Sequence, residues 1–378
     1  MTQLTACTNA RIFDGTNWHD DAALILDGDS ILAIGPAPEG AATVDLGGGL
    51  LVPGFIDLQV NGGGGHLVGP GTTADDLALV CDTHARFGVT NLLPTLITDT
   101  PAVTDSVLAA GAEATRRKLP GFLGLHLEGP HLALSRKGAH DPNLIRPMEE
   151  ADLVRLENAR ASLPHLLVTV ATESVTPEQI ARLVKAGITV SLGHTDASFE
   201  AASAAIRAGA SMATHLFNAM SQVGNRKPGL VGAVLHHGIH AGLIADGIHI
   251  HPASLGLALR AHQGRQGHPV LVSDSMSQAG TDLTEFELNG RTIYRRNGAL
   301  RLADGTLAGA DLTMDGAIRT FVGMGHDLGL ALRMATALPA AAIGNNQLGR
   351  LRPGYPADFV HLTADLTVQS TWRNGVRV

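Results

Sequence analysis

Four polar residues stand where short apolar runs of this chain end, and together they have the composition of a hydrolytic metal centre. Glu128 closes GLHLE, His194 follows TVSLG, His215 closes MATH, and Asp274 follows VLVS. Zinc favours imidazole nitrogen and carboxylate oxygen, and a catalytic zinc takes three protein ligands while one position stays open. Glu128, His194 and His215 supply that set. Bound zinc lowers the pKa of its water from 15.7 to about 7, so a neighbouring carboxylate, here Asp274, can take the proton. Any single His in a chain with 18 is ordinarily a hydrogen-bonded structural residue. It is the coincidence of four such residues at four strand ends that points to chemistry.

Other residues near those ends read either way. Gln59-Val60-Asn61 closes the first run, and His249 follows another shortly after its end. His126 lies two residues before Glu128 and shares its face of a strand, as a core residue or a support for the ligands. His140, in RKGAH, could polarise a carbonyl or lie exposed. Gly62-Gly63-Gly64-Gly65 could cradle a phosphate as a nest of backbone amides. It reads better as a flexible loop, because no P-loop Lys-Ser/Thr follows. Arg226-Lys227, after Asn218-Ala219-Met220, is either a solvated pair or a site for a phosphate dianion.

Such residues need a scaffold that gathers strand ends. Apolar runs at 54–60, 89–96, 122–127, 166–171, 189–192, 212–215, 242–245 and 270–273 alternate with helical patterns at 73–87, 151–161, 177–186, 199–208 and 253–261. Thr176-Pro177-Glu178-Gln179 carries a hydroxyl N-cap, a Pro at the first helical position and a Gln three residues after the cap. Eight strand–helix units over about 290 residues match an α/β fold of the (β/α)8 TIM-barrel type. A doubly wound sheet is the alternative, but no GxGxxG follows a first strand. Both chain ends read as strands, with turn signals at Asp27-Gly28-Asp29 and Asn374-Gly375. We expect a small β-sandwich from residues 1–52 and 349–378 around a barrel spanning 53–348.

The balance of 27 Lys+Arg against 35 Asp+Glu, a net charge of −8 without a basic run, argues against nucleic-acid or anionic-membrane surfaces. Two cysteines, Cys7 and Cys81, are too few for a disulfide framework or a Cys-based zinc site. No apolar stretch is long enough to span a bilayer. The opening MTQLTACTNARIFDG lacks the features of a signal peptide, so a cytoplasmic protein is expected.

The segments LLVPGFIDLQVNGGGG, GLHLEGPHLALSRKGAH, SLGHTDASFEAA, ATHLFNAM, RKPGLVGA, IADGIHI and LVSDSM occur in that order, before LAGADLTM and LGRLRPGYPADFV. In this the chain resembles the N-acetylglucosamine-6-phosphate deacetylases of the amidohydrolase superfamily over nearly its whole length. The resemblance implies a barrel with a terminal β-sandwich, a homodimer, and hydrolysis of N-acetyl-D-glucosamine 6-phosphate to D-glucosamine 6-phosphate and acetate. It implies Glu128, His194 and His215 as metal ligands and Asp274 as acid/base; in the mechanism we expect, His140 hydrogen-bonds the carbonyl oxygen as it gains charge. Sugar-phosphate contacts would come from Ala139, His140, Asn218, Ala219, Arg226, Asp246, His249, Leu307, Ala308 and Gly309, with Arg226 reaching across the dimer interface. Many amidohydrolases carry His-x-His where Gln59 and Asn61 stand here. Amides are weak zinc ligands beside imidazole, so one divalent metal per subunit is expected, zinc with Fe2+ or another divalent ion as alternatives, and Gln59 would at most orient the water. His131 after HLEGP departs from the pattern and could alter the loop over the sugar. The rival substrate is N-acetylgalactosamine 6-phosphate or another N-acyl amino-sugar phosphate. A rival of another class, a non-catalytic assembly protein, predicts missing ligands or a missing Asp274.

Overall fold

The computed structural model describes residues 3–378; Met1 and Thr2, which open the expected 1–52 segment, lie outside the described residues. Eight parallel strands form the centre: β1 (Phe55–Val60), β2 (Val89–Ile97), β3 (Gly124–Glu128), β4 (His165–Val170), β5 (Thr189–Leu192), β6 (Met212–Ala213), β7 (His240–Leu243) and β8 (Pro269–Leu271). They pair in chain order in one sheet, with no reversal of strand order, which excludes the doubly wound alternative. All six residues of β1 are buried, as expected for a parallel strand covered on both faces.

Helices alternate with the strands: α1 (Ala74–Ala85), α2 (Pro101–Arg116), α3 (Glu150–Arg160), α4 (Pro177–Lys185), α5 (Phe199–Arg207), α6 (Gly229–His237) and α7 (Pro252–Ala261). After β8 come α8 (Met314–Gly323), α9 (Leu328–Ala335) and α10 (Ala337–Ala342). The capping box anticipated at α4 is present. Gln179 N–H donates to Thr176 Oγ1 at 3.3 Å, and Thr176 N–H donates to Gln179 Oε1 at 2.9 Å. The α4 residues Ile180 and Leu183 are buried.

The barrel closes between β8 and β1 by a few contacts just beyond β8 rather than a continuous ladder. Asp274 N–H donates to Gln59 O at 3.0 Å, and Asn61 N–H donates to Ser275 O at 2.8 Å. One layer deeper, the fully buried Asp57 carboxylate accepts from Ser273 N–H and Gln59 N–H, both at 3.2 Å. Burial pushes this carboxyl up to about 7. A side chain thus satisfies backbone groups that the missing ladder would have paired.

The expected strands and helices are found to within a few residues at their ends. The main differences are at β6, β7 and β8, expected to reach His215, Ala245 and Ser273 but each ending two residues earlier, at Ala213, Leu243 and Leu271. His215 has φ +30°, and a strand cannot continue through left-handed backbone; Asp274, at φ +49°, lies just past the expected end of β8. The apolar rhythm also leaves out α2, α6, α8, α9 and α10. It gives no warning of an antiparallel sheet formed by Glu285–Leu288, Arg291–Arg296, Ala299–Arg301 and Leu307–Ala310.

The two chain ends meet in two further sheets. One joins Thr5–Thr8, Ala23–Asp27, Ser30–Gly35 and Ala42–Asp45; the other joins Arg11–Phe13, Trp18–His19 and Leu50–Pro53 to Phe359–Leu362, Val368–Arg373 and Val376–Arg377. Their shared core contains Cys7, Ile12, Leu24, Leu26, Ile31, Leu51 and Phe359. Both anticipated hairpin turns are present, between Asp27 and Ser30 and between Arg373 and Val376. Among the described residues no helix is long and apolar enough to cross a membrane.

Candidate metal centre and active site

Glu128 ends β3, His194 lies two residues beyond β5, and His215 lies two beyond β6, so three neighbouring parts of the sheet deliver three side chains to one point. Glu128 Oε1 lies 3.3 Å from His194 Nε2 and 3.1 Å from His215 Nε2, and the two Nε2 atoms are 3.0 Å apart. All three residues are buried. His194 Nδ1 lies 2.8 Å from the Arg136 carbonyl, which can only accept, so the ring proton sits on Nδ1 and Nε2 presents a lone pair. A lone pair facing a carboxylate oxygen and a second imidazole nitrogen, all within 3.3 Å of one another, suits a shared cation. A buried Glu/His/His donor set with one ring oriented by a carbonyl therefore fits a divalent metal.

Asp274 stands across from this cluster. Its Oδ1 accepts from Asn61 Nδ2 at 2.7 Å and from Gln59 Nε2 at 3.2 Å, and Gln59 Nε2 also donates to Glu128 Oε1 at 3.2 Å. Burial pushes the Asp274 carboxyl up to about 6, and the Glu128 charge adds to the rise. A carboxylate in that range can both take and return a proton near neutral pH.

His140 approaches from the loop after β3. Thr98 N–H points at its Nδ1 at 3.3 Å, and the Thr98 hydroxyl lies 2.8 Å from the same atom. A backbone N–H only donates, so Nδ1 accepts and the ring proton is on Nε2, which lies 4.0 Å from Glu128 Oε2. Burial pushes His140 down to about 3, and the ring is neutral. A neutral imidazole with Nε2–H facing the cluster is a hydrogen-bond donor for an oxygen that gains charge.

These groups line a pocket of about 360 Å³ at the C-terminal mouth of the barrel. With this geometry in place, comparison with known proteins is direct. The amidohydrolase family pattern matches residues 50–378. The chain belongs to the amidohydrolase family. Its relatives include an N-acetylgalactosamine-6-phosphate deacetylase of Shewanella sp. (strain ANA-3), 44% identical over 330 residues and covering 86% of this chain and 82% of that one. They also include an N-acetylglucosamine-6-phosphate deacetylase of Haemophilus influenzae, 37% identical with 94% of each chain covered. Among solved structures, the N-acetylglucosamine-6-phosphate deacetylase of Pasteurella multocida superposes with a TM-score of 0.95 at 35% identity, covering 99% of both chains. A mutant of the Mycobacterium smegmatis deacetylase in complex with N-acetyl-D-glucosamine-6-phosphate gives 0.91 at 32%, covering 99% of this chain and 98% of that one.

In this amidohydrolase most of the anticipated site residues meet at the pocket. Glu128, Ala139, His140, His194, His215, Asn218, Ala219, His249, Asp274, Leu307, Ala308 and Gly309 line it. Gln59 sits just behind, bonded to Glu128 and Asp274. Asp246 also stands back, and its Oδ2 lies 2.5 Å from His249 Nδ1. Arg226 does not line the pocket of its own chain; it is exposed on the 222–227 loop.

The alternatives left open elsewhere resolve. The Gly64 and Gly65 amides are spent on the carbonyls of Ala279 and Ser277, so they form no phosphate cradle. His126 is buried between Thr95 and Thr169, with Nε2 2.7 Å from Thr169 Oγ1. His131 is buried 3.1 Å from the Arg146 carbonyl and lies off the pocket.

Several lining residues were not anticipated, among them Arg136, Leu288, Thr306 and Met276. Leu288 and Thr306 belong to the antiparallel sheet and its turns, and the apolar face of that sheet packs with Met276, Ile97 and Ala139 over the mouth. A Cβ on Gly309 (φ +67°) would stand 2.8 Å from Asp274 O and 2.6 Å from Met276 Cγ, so only glycine lets this sheet come so close to Asp274. A signal for the sheet is present in Asn289-Gly290, Asn297-Gly298 and Asp304-Gly305, three hairpin-turn dipeptides within 17 residues.

Proposed function

We propose that the protein hydrolyses the acetamide of N-acetyl-D-glucosamine 6-phosphate, releasing acetate and D-glucosamine 6-phosphate. The observation that carries this reading is the buried Glu128/His194/His215 cluster facing Asp274 across a pocket of sugar-phosphate size. The names of the relatives at 37% and 44% identity support the substrate class. We assign one divalent cation, zinc or alternatively Fe2+, to the three ligands. When bound, it supplies Lewis acidity toward the carbonyl oxygen and acidity to water.

The chain's own groups do the rest. Asp274 takes a proton from the attacking water as the new C–O bond forms. It returns the proton to the sugar nitrogen as the C–N bond breaks. His140 Nε2–H donates to the acyl oxygen while that oxygen carries negative charge. His249, held at Nδ1 by Asp246, and Asn218 offer polar atoms to the sugar. Gln59 places an NH2 between the Glu128 and Asp274 carboxylates, where a second cation would otherwise bind, and this supports the single-metal reading.

We further assign the 6-phosphate to Arg226 of a second copy in a cytoplasmic homodimer. Arg226 and Val223 are exposed on one loop, and Arg226 has no place in its own pocket. Arg226→Ala is expected to raise KM for the phosphosugar about tenfold or more and to leave unphosphorylated N-acetylglucosamine unaffected, as loss of a charge-assisted anion contact requires. An unchanged KM removes Arg226 from the site.

A second reading, the galactosamine epimer, is favoured by the 44% identity to the Shewanella enzyme. The deciding experiment is acetate release from both epimers by the purified protein, with metal per subunit measured on the same sample. Turnover of the gluco epimer with one equivalent bound supports the proposal. Turnover of the galacto epimer alone moves the assignment, and turnover of neither ends it.

A further inference from the structure

The pocket has two unlike sides, and the sugar contacts assigned above take only one of them. Asn218 and His249, beyond β6 and β7, give that side its polar atoms. Ile97 at the end of β2, Met276 beyond β8 and Leu288 of the antiparallel sheet line the pocket with apolar atoms. β2 and β6 stand four strands apart in a ring of eight, so Ile97 lies across the mouth from Asn218. The register fixes where Ile97 points. It pairs with Glu128 in the parallel ladder of β2 and β3, and paired residues of neighbouring strands leave the sheet on the same face. Glu128 points inward to the ligand cluster, so Ile97 does as well. Two residues earlier Thr95 keeps the alternation, its hydroxyl 3.3 Å from His126 inside the barrel. Ile97 is only half-buried, and the surface it keeps opens into the pocket it lines.

Leu288 is oriented by its own strand. Along Glu285–Leu288 the two glutamates are exposed, while Phe286 and Leu288 turn to the opposite face. That face packs with Met276 and Ile97, and Ile293 and Leu300 of the same cluster are fully buried. A close-packed core therefore backs the apolar wall and resists being pushed outward. Two reacting groups flank the wall. Met276 lies two residues past Asp274, and Thr98, next to Ile97, holds His140 Nδ1 at 2.8 Å from its hydroxyl.

We propose that Ile97, Met276 and Leu288 seat the methyl of the scissile acetyl group and set the length of acyl chain that the protein accepts. This rests on the deacetylase reading above. A secondary amide is planar and trans, so its acyl methyl and its sugar carbon lie at opposite ends of the C–N bond. With the sugar on the side of Asn218 and His249, the methyl falls on the side of Ile97. The acyl oxygen, one bond from the same carbon, then meets His140 beside the seat. An acetyl methyl fills the space between Ile97 and Leu288, whereas each further methylene presses on the packed core behind Leu288.

The test compares the N-acetyl and N-butyryl forms of whichever hexosamine 6-phosphate the wild-type protein deacetylates. The readout is the ratio of kcat/KM for butyryl to that for acetyl, taken on one sample so that any unfolded fraction cancels. In the wild-type protein the butyryl form is expected to be slower by about tenfold or more. Ile97→Ala is expected to raise the ratio by about tenfold or more, and Ile97→Val by less. Leu288→Ala is expected to raise it in the same way, and it decides the matter if Ile97→Ala has no turnover. Asn218→Ala, on the sugar side, is expected to lower kcat/KM for both forms and keep the ratio within about twofold of wild type. The inference is overturned by a wild-type ratio near one, by a ratio that Ile97→Ala leaves unchanged, or by an equal shift in Asn218→Ala. Wild-type protein that deacetylates neither epimer overturns the functional reading and this inference with it. Wild-type deacetylation with a ratio indifferent to Ile97 overturns this inference alone.

Discussion

The terminal sandwich and the barrel mouth both bend their backbone into the left-handed region, but with different residues. Around the sandwich the non-glycine positions are Asn9, Asp21, Leu366 and Asn374, three of the four being the short polar types that accept this conformation in turns. At the mouth they are mainly larger side chains or members of the candidate site: His194, His215, Phe217, Ala219 and Asp274. Such strain costs about 1–3 kcal/mol per residue and persists only where surrounding structure enforces it. Here the neighbours do enforce it: Ala133 N–H holds His194 O at 2.9 Å, and Asn218 N–H holds His215 O at 2.9 Å. The sandwich is shaped for stability, whereas the mouth gives some up to aim two metal-ligand candidates and Asp274 inward.

If that division is right, changes in the two regions have opposite signatures. The largest effect is expected at Asp274. Asp274→Asn keeps the shape and removes the proton acceptor, so kcat should fall by about 10³-fold or more. Metal content and melting temperature should hold. A large drop in melting temperature would show that Asp274 serves the fold as well as the chemistry and would blur the contrast.

Phe359→Ala is the converse. The ring is fully buried between the terminal sheets and stacks on Trp372 with centroids 5.1 Å apart. Its removal should cost about 3–5 kcal/mol of stability, as for other buried aromatics, in a denaturant titration. At a temperature where the variant stays folded, kcat/KM should match the wild type. Loss of kcat/KM in folded protein would mean that the sandwich helps shape the mouth.

His140→Ala sharpens the contrast inside the mouth. A lost oxyanion donor typically costs about 10²–10³-fold in kcat. The Thr98 N–H that His140 accepts would be left without its partner, so stability should fall by about 1–3 kcal/mol, less than for Phe359→Ala. A kcat within a few-fold of wild type, about the effect of a lost solvent-facing contact, would assign the carbonyl to another donor.

The same division explains what can be read from the chain alone. Barrel strands such as β4, HLLVTV, are legible because parallel strands buried on both faces leave mostly apolar runs. Glu128, His194, His215 and Asp274 are legible because those runs stop at them. The ends of β6, β7 and β8 are placed two residues too far because the apolar run outlasts the ladder in each, and at β6 the left-handed turn at His215 leaves no trace in residue type. Helix α6, GLVGAVLHH, hides its period in an almost uniformly apolar segment. The antiparallel sheet over the pocket escapes notice although Asn289-Gly290 and Asn297-Gly298 announce it, since a search for βα rhythm passes over an inserted meander. Asn61 reads only as a poor metal ligand. Its hydrogen bond to Asp274 is a property of the closed barrel, which brings residue 61 against residue 274.

The smallest expected effect lies just beneath the mouth, at Asp57. Burial raises this carboxyl to about 7 in the folded protein, against about 3.9 in an unfolded chain. A raised carboxyl binds its proton more tightly when folded. Its contribution to stability is therefore complete below about pH 4 and is lost as pH climbs through about 7. By linkage, the wild-type protein should lose roughly 2–3 kcal/mol relative to Asp57→Asn between about pH 5 and pH 8. The substituted side chain would keep an acceptor oxygen for Ser273 N–H and Gln59 N–H but carry no charge. Denaturant titrations of both proteins at several pH values within that range would measure the difference. A flat difference would mean that the two backbone donors keep Asp57 ionised throughout. The closing seam would then hold a buried charge in the same way as the mouth above it, and the boundary between the stabilising and the functional parts of the barrel would move down one layer.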